Sequence, residues 1–376
     1  MMDLLAACSP GLEALTIQEL HGLGLRGTLS GHGSVAFQGT QEDLYRANLH
    51  LRTADRISIR LDAFHAVGFP ELRRKAALLP WEEYLSPGRP ILIRAECKKS
   101  RLYHEGGVAQ RIAEAAADRL RRPPLVQKAY EDSGQGLPQL IFARFDHDRC
   151  SIEIDSSGEF LHKRGYRLET AKAPLRETLA CAMILASGWD RKSPFLDPFC
   201  GSGTLPIEAA LMAADIPPGH ARRFSFMDWP GYRPKKWEAL LAQARKDAPP
   251  KMPRIMASDR DAGAIRAAQA NAERAGAAAL IEFSCKSVSS IEPPHAPGCV
   301  VTNPPYGMRL KEAASLRDLY AQLGHVLRRQ CPGWSVTLLS STIPLINSTG
   351  LPFGQGMPTM NGGLSVRLVR TRSGII

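Results

Sequence analysis

The sequence predicts an α/β protein: two small N-terminal α/β units, then a doubly wound sheet whose last strand runs antiparallel. Three observations predict it. From about residue 175 onward, helical-period segments alternate with short apolar runs, as βαβ units require. A glycine-rich stretch, Asp197-Pro198-Phe199-Cys200-Gly201-Ser202-Gly203-Thr204, lies between one such run and a helix. Near the C-terminus, Asn361-Gly362 turns the chain into an alternating run over 364–369, and a tight hairpin makes the final strand antiparallel.

The first unit opens with a short strand at 4–7. Pro10-Gly11 then starts a helix over 12–23, and glycine-rich turns lead to a strand at 34–37 and a helix over 40–51. Ile57-Ser58-Ile59-Arg60-Leu61 alternates like a half-buried strand, and 72–78 with Pro80-Trp81 reads as a helix and its exit. A second unit follows, with a strand at 90–95, an Ala-rich amphipathic helix over 107–121, and strands at 139–145 and 150–155 around the turn Asp146-His147-Asp148-Arg149. Neither unit holds a nucleophile, an acid pair or a metal cluster, so this half reads as a binding module. Lys98, Lys99 and Arg101 before the helix suit phosphate contacts, and a solvated loop would look the same.

At Gly158 the text changes to Phe160-Leu161-His162-Lys163-Arg164-Gly165-Tyr166-Arg167. The expected division is therefore 1–60, 61–157 and 158–376. Cations interleaved with aromatics can neutralise and stack on a nucleotide chain, so Lys163, Arg164, Tyr166 and Arg167 are candidate nucleic-acid contacts. A linker docked between domains has the same composition.

In the last part, a helix over 175–187 and a strand at 194–196 feed the glycine loop, and a helix follows over 205–214. Such a loop brings backbone N–H groups and a helix N-terminus close to a ligand, with Gly201 and Gly203 lacking the Cβ atoms that would block approach. The loop lacks the Lys-Ser/Thr of a phosphate-binding P-loop, and its spacing differs from the dinucleotide fingerprint. A strand at 254–258 ends in Asp259, with Asp261 two residues on, where an acid can take both hydroxyls of a ribose. Further elements are a helix over 262–275, strands at 280–284 and 299–302, a helix over 316–329 and a strand at 334–339. The insertion 215–253, rich in Pro, Arg and aromatics, is expected to cover a sheet edge, with a contribution to a nucleic-acid groove as the second reading.

The strand at 299–302 runs directly into Asn303-Pro304-Pro305-Tyr306-Gly307. Two prolines stiffen this loop and leave the Pro304 carbonyl fixed. An exocyclic amine on a planar base offers two N–H donors, which the Asn303 side-chain oxygen and the Pro304 carbonyl suit, with the ring lying on Tyr306. Two acceptors holding the amine hydrogens favour the tetrahedral nitrogen that attacks an electrophilic methyl, with no strong base required. Asn303, Pro304, Pro305 and Tyr306 are accordingly the candidate catalytic residues.

Composition fits an ordinary globular protein: 376 residues, 44% hydrophobic and 23% charged. No apolar run reaches membrane-spanning length and no signal peptide is evident, so a cytoplasmic protein is expected. The eight cysteines show no CxxC spacing, and neither disulfides nor a metal site are expected. The net charge of +11 is uneven, with 22 Lys+Arg against 21 Asp+Glu over residues 1–165 and 26 against 16 over 166–376. A basic surface beside the Asn303 loop would gather a polyanion.

Taken together, Cys8-Ser9-Pro10-Gly11-Leu12-Glu13, Tyr45-Arg46-Ala47-Asn48-Leu49, Leu51-Arg52-Thr53-Ala54, residues 161–167, Ala173-Pro174-Leu175-Arg176-Glu177-Thr178-Leu179, residues 197–204 and 302–307 resemble the bacterial THUMP-domain class I S-adenosylmethionine (SAM)-dependent RNA methyltransferases. The likeness is to the type that methylates guanine N2 of 23S rRNA. The resemblance implies an N-terminal ferredoxin-like domain, a THUMP RNA-binding domain and a Rossmann-like methyltransferase domain with a seven-stranded sheet. It further implies that Asp197, Phe199, Gly201, Gly203 and Thr204 line the methionine end of SAM, that Asp259 with Asp261 holds the ribose, and that 303–306 receive the base. At the position of the usual adenine-contacting acid this chain offers Ser287. The expected partner is RNA, with rRNA favoured by the family and tRNA compatible. The competing classes are a DNA or protein-glutamine amine methyltransferase, which would not need the N-terminal half, and a non-catalytic RNA-binding protein.

Overall fold

The computed structural model describes residues 1–127, 129, 137–168, 175–244, 251–306 and 313–375. Among these, two seven-stranded sheets organise the chain. The first sheet is built from β1 (Met2–Cys8), β2 (Gly27–Gly31), β3 (Ser34–Gly39), β4 (Ala54–His65), β5 (Ile91–Lys98), β6 (Gln139–Asp146) and β7 (Arg149–Asp155), in the order β2-β3-β1-β4-β7-β6-β5. All its pairs are antiparallel except β5 with β6. Helices α1 (Glu13–Gly22), α2 (Gln41–His50), α3 (Phe69–Ala76) and α4 (Glu105–Leu120) pack with it. A capping box at Thr40 and Asp43 starts α2, each side chain bonding the other's backbone N–H.

The boundary expected at residue 60 falls inside β4. That twelve-residue strand pairs with β1 on one side and β7 on the other, so the two N-terminal units share one sheet and one core. Strand β2 was not foreseen because its residues are mostly exposed, so no apolar alternation marks it.

The second sheet is built from β8 (Phe195–Asp197), β9 (Ile255–Asp259), β10 (Ile281–Cys285), β11 (Cys299–Thr302), β12 (Ser335–Ser340), β13 (Met357–Asn361) and β14 (Leu364–Arg370). Its order is β10-β9-β8-β11-β12-β14-β13, with β14 antiparallel to β12, as the hairpin predicted. The remaining helices are α5 (Glu177–Ser187), α6 (Thr204–Ala213), α7 (Pro234–Ala244), α8 (Ala262–Arg274), α9 (Ala313–Gln330) and α10 (Ile343–Ser348). The strand order reverses between β8 and β11, and ligands bind at the carboxyl ends of strands at such a switch point. The glycine loop follows β8 and Asn303 follows β11, so the fold sets both motifs there.

The large aromatic residues of the insertion pack on the first sheet, while Ile216 and Met252 at its ends pack against the core of the second. Phe224, Phe226, Trp229, Trp237 and Leu240 are buried in the core of the first, with Phe226 stacked on Tyr45 of α2 at 4.5 Å between ring centroids. Trp229 Nε1 donates to Gln139 Oε1 on β6 at 2.7 Å. The aromatic-rich stretch is thus a clamp that the C-terminal half extends around the N-terminal half, and burial of those large rings drives it. In return, Leu12 and Leu15 of the N-terminal half enter the core of the second sheet. No helix among the described residues is long and apolar enough to cross a membrane.

Candidate active site

The site is assembled from the ends of β8, β9 and β11. Asp197 closes β8 with its side chain almost fully buried; Oδ1 accepts from Thr302 Oγ1 at 2.7 Å and from the Phe199 N–H at 3.2 Å. Burial, with the nearby Asp259 charge, pushes its carboxyl up from 3.8 to about 7, against the two hydrogen bonds. Asp197 thereby ties the glycine loop to the strand that delivers Asn303.

Asp259 closes β9. Its Oδ2 accepts from the Gly201 N–H at 3.1 Å and its Oδ1 from the Asp261 N–H at 3.0 Å. Asp261 is the N-cap of α8, accepting from the N–H groups of Gly263 and Ala264, so its first task is to start that helix. Ser287 lies just beyond β10, half-buried, its hydroxyl 2.6 Å from that of Ser289.

The two glycines of the loop serve different purposes. Both have positive φ, +51° at Gly201 and +87° at Gly203, but among the described residues nothing beyond its chain neighbours lies within 4 Å of a Cβ placed on Gly201. A Cβ on Gly203 would stand 3.0 Å from the Ala268 Cβ and 3.2 Å from its Cα. Gly201 therefore faces open space, whereas Gly203 lets α8 approach the loop. The expectation that both make way for a ligand is corrected at Gly203. Thr204 begins α6, and Phe199 packs half-buried against a core containing Leu196 and Val300. This cradle, with an open glycine, the helix start behind it and an acid at the end of the neighbouring strand, fits SAM.

At the end of β11, Asn303 is half-buried, and its Oδ1 is cut off from solvent with no hydrogen-bond partner among the described residues. A buried unpaired acceptor costs about 1–3 kcal/mol, a cost that a donor arriving on a substrate would relieve. Pro304 is buried and Pro305 exposed. Tyr306 packs against two cores, and its hydroxyl accepts from Asn361 Nδ2 at 2.7 Å. Gly307, and Ala173-Pro174 of the other motif, lie outside the described residues.

The proposed nucleic-acid contacts divide. Lys98, Lys99 and Arg101 are exposed at the end of the edge strand β5, where Lys98 pairs with Glu96. Beside them Tyr103 is 79% exposed, an aromatic that sequence reasoning passed over. Lys163 is also exposed, paired with Glu159. Arg164 and Tyr166, however, are buried, which corrects their reading as nucleic-acid contacts. Arg164 donates to the carbonyls of Leu161 and Arg52, and the Tyr166 hydroxyl donates to Glu208 Oε1 at 2.9 Å. Arg167 is held by the Leu175 carbonyl and Glu177. Arg164 reaches the Arg52 carbonyl of the N-terminal half, whereas Tyr166 and Arg167 satisfy groups within the C-terminal half; an interleaved sequence cannot distinguish either from a surface strip.

Sequence reasoning also missed Asn271. It is fully buried on α8, and its Nδ2 donates 3.0 Å to the Ser202 carbonyl, holding the glycine loop from behind. The available signal was an amide on the Ala268/Ala272 face of an otherwise apolar helix stripe. Among the described residues no group of His, Cys, Asp and Glu could hold a metal ion, and all eight cysteines are free thiols.

Comparison with known proteins agrees with this construction. Residues 164–369 match the RMKL-like methyltransferase domain, and residues 3–58 match the RlmL ferredoxin-like domain. The Ribosomal RNA large subunit methyltransferase K/L of Methylococcus capsulatus is 36% identical over 97% of this chain, which spans 50% of that protein's length. A Synechocystis sp. protein, slr0064, bearing the name of an RNA methyltransferase, is 34% identical over 97% of this chain and 95% of its own. The SMU.472 protein, solved in complex with SAH, superposes with a TM-score of 0.89 at 31% identity over 98% of this chain and 97% of its own. The fold, the family model and the SAH-bound neighbour agree, and the chain belongs to the RMKL-like methyltransferase domain family, with SAM as its cofactor.

Proposed function

We propose that this chain methylates the exocyclic N2 amine of a guanine in structured RNA, with 23S rRNA as the target. The observation that carries the reading is the buried Oδ1 of Asn303, without a partner among the described residues, at the end of the strand beside the glycine loop. The names borne by the K/L and Synechocystis relatives support RNA as the substrate class, although the chain spans about half the length of the K/L proteins.

The cofactor, when bound, supplies a methyl group on a positively charged sulfur. Asn303 Oδ1 and the Pro304 carbonyl accept the two amine hydrogens and orient the nitrogen lone pair. As nitrogen becomes tetrahedral and positive these bonds strengthen, which is differential stabilisation of the transition state. One proton then leaves the product nitrogen for solvent. Tyr306 offers its ring to the base, and splaying a guanine out of an RNA stack costs a few kcal/mol that such stacking offsets. Residues 61–157 form the THUMP-type RNA-binding part of this reading, with Lys98, Lys99 and Arg101 presenting charge and Tyr103 a stacking ring. Residues 158–376 carry the chemistry.

The test is nucleoside mass spectrometry of rRNA and tRNA incubated separately with the full chain and SAM. N2-methylguanosine in 23S rRNA is expected. The mark in tRNA alone would move the substrate, and methylation at a ring carbon or ribose would overturn the amine chemistry.

A further inference from the structure

The hairpin β13–β14 holds an asparagine that its own turn does not need. Asn361-Gly362 was expected to form the turn, but the register pairs Asn361 with Leu364. The two-residue loop is therefore Gly362-Gly363, both at positive φ, +55° and +87°. Asn361 is the last strand residue, and its side chain is spent elsewhere, on the Tyr306 hydroxyl at 2.7 Å. Alternation along β13 puts Asn361 on the same face as Thr359, which is buried.

The same strand is gripped from the other half of the molecule. Gly11, in the turn between β1 and α1, has φ +87°, and a Cβ there would stand 2.0 Å from the Pro358 carbonyl oxygen. The backbone of the N-terminal half thus lies directly on β13, three residues before Asn361. Leu12 and Leu15, just past that turn, are buried in the core that Tyr306 and Met357 pack against. A continuous contact runs from the Gly11 turn through Pro358 and Asn361 to the ring that the proposed chemistry uses.

We infer that Asn361 is a positioning residue for Tyr306, and that the N-terminal half holds it in place through the Gly11–Pro358 contact. The N-terminal half then acts on the rate of transfer and not on RNA capture alone. Tyr306 sits at the end of a stiff loop; pinning its phenol oxygen fixes the direction of the ring's long axis and hence where the ring stands for an incoming base. This rests on the reading of Tyr306 as the base platform.

The experiment is single-turnover methylation of total RNA by the full chain with saturating SAM, using Asn361→Leu, Asn361→Asp, Tyr306→Phe, Tyr306→Ala and the Asn361→Leu/Tyr306→Phe pair. Asn361→Leu is expected to slow transfer roughly tenfold, the value of one hydrogen bond, with SAM affinity unchanged by calorimetry. Asn361→Asp, which can accept from the Tyr306 hydroxyl, is expected to restore most of the rate. The pair is expected to be no slower than Tyr306→Phe alone, because both changes remove the same bond. Gly11→Ala is expected to shift β13, lowering both the melting temperature and the rate, with no further loss of rate in a Tyr306→Phe background; an equal loss in that background would overturn the Gly11 step. Additive losses in the pair, or a wild-type rate in Asn361→Leu while Tyr306→Ala is slow, would overturn the inference. A wild-type rate in Tyr306→Ala would instead remove the platform reading on which it rests.

Discussion

Thr302 Oγ1 donates a 2.7 Å hydrogen bond to the buried carboxylate of Asp197, so the strand that delivers Asn303 and the strand that delivers the glycine loop are joined by one side-chain contact. Removing the hydroxyl leaves Asp197 Oδ1 with the Phe199 N–H alone. Thr302→Val is expected to cost about 1–3 kcal/mol of stability, seen in denaturant titration, and to weaken SAM binding by calorimetry. An unchanged midpoint and affinity would show that the two strand ends are held independently.

Asp197 also makes stability depend on pH. Its carboxyl is raised from 3.8 to about 7, so the folded chain holds a proton that the unfolded chain releases. The stabilising contribution is complete below 3.8 and is lost as pH rises to about 7. Asp197→Asn removes this titration, and its melting temperature is expected to fall less than the wild type's across that range. Buried Glu177, also raised to about 7, remains in both proteins, so the difference between the two profiles is the readout.

The glycines of the loop are expected to fail differently. Gly203→Val drives a side chain into Ala268 from a backbone at φ +87°, and is expected to destabilise the chain by several kcal/mol before any effect on SAM can be read. Gly201→Ala meets open space and pays only for its positive φ, about 1–2 kcal/mol, so it should fold while losing SAM affinity. A folded Gly201→Ala with wild-type affinity by calorimetry would place SAM elsewhere.

For Asn303, substitution by Ala is expected to lower single-turnover transfer by about a hundredfold or more, on the order of 3 kcal/mol, with RNA and SAM binding nearly unchanged. Asn303→Asp keeps an acceptor and should retain part of the rate. Transfer at the wild-type rate by Asn303→Ala would remove the amine mechanism.

Removal of residues 1–155 looks like a clean test of RNA affinity from the sequence, but the structure predicts otherwise. It would strip the cover from Phe224, Phe226, Trp229 and Trp237, and withdraw Leu12 and Leu15 from the second core. The remaining fragment is expected to aggregate, which light scattering would reveal. The informative variant keeps the whole chain: Lys99→Glu with Arg101→Glu is expected to weaken RNA binding and flatten its salt dependence, with SAM affinity intact. An unchanged salt slope would move the RNA contact away from the end of β5.

Sequence alone determined where the candidate site stands along the chain. A glycine loop after one apolar strand, an acid after the next and a proline loop after another are local signals, because strand ends, turns and φ-restricted residues follow from a few neighbouring side chains. The antiparallel last strand was readable for the same reason, although the turn itself moved from Asn361-Gly362 to Gly362-Gly363. What only the tertiary structure decided was which polar groups face solvent and which face each other. Lys163 and Arg164 are neighbours in sequence, yet one is exposed and the other buried against carbonyls from both halves. Gly201 and Gly203 are two residues apart, yet one faces open space and the other a helix. Asn361 and Asn271 gained their roles from Tyr306, 55 positions away, and from Ser202, 69 positions away. Burial and hydrogen-bond partners at such separations depend on how the two sheets pack, and no local pattern of residues encodes them.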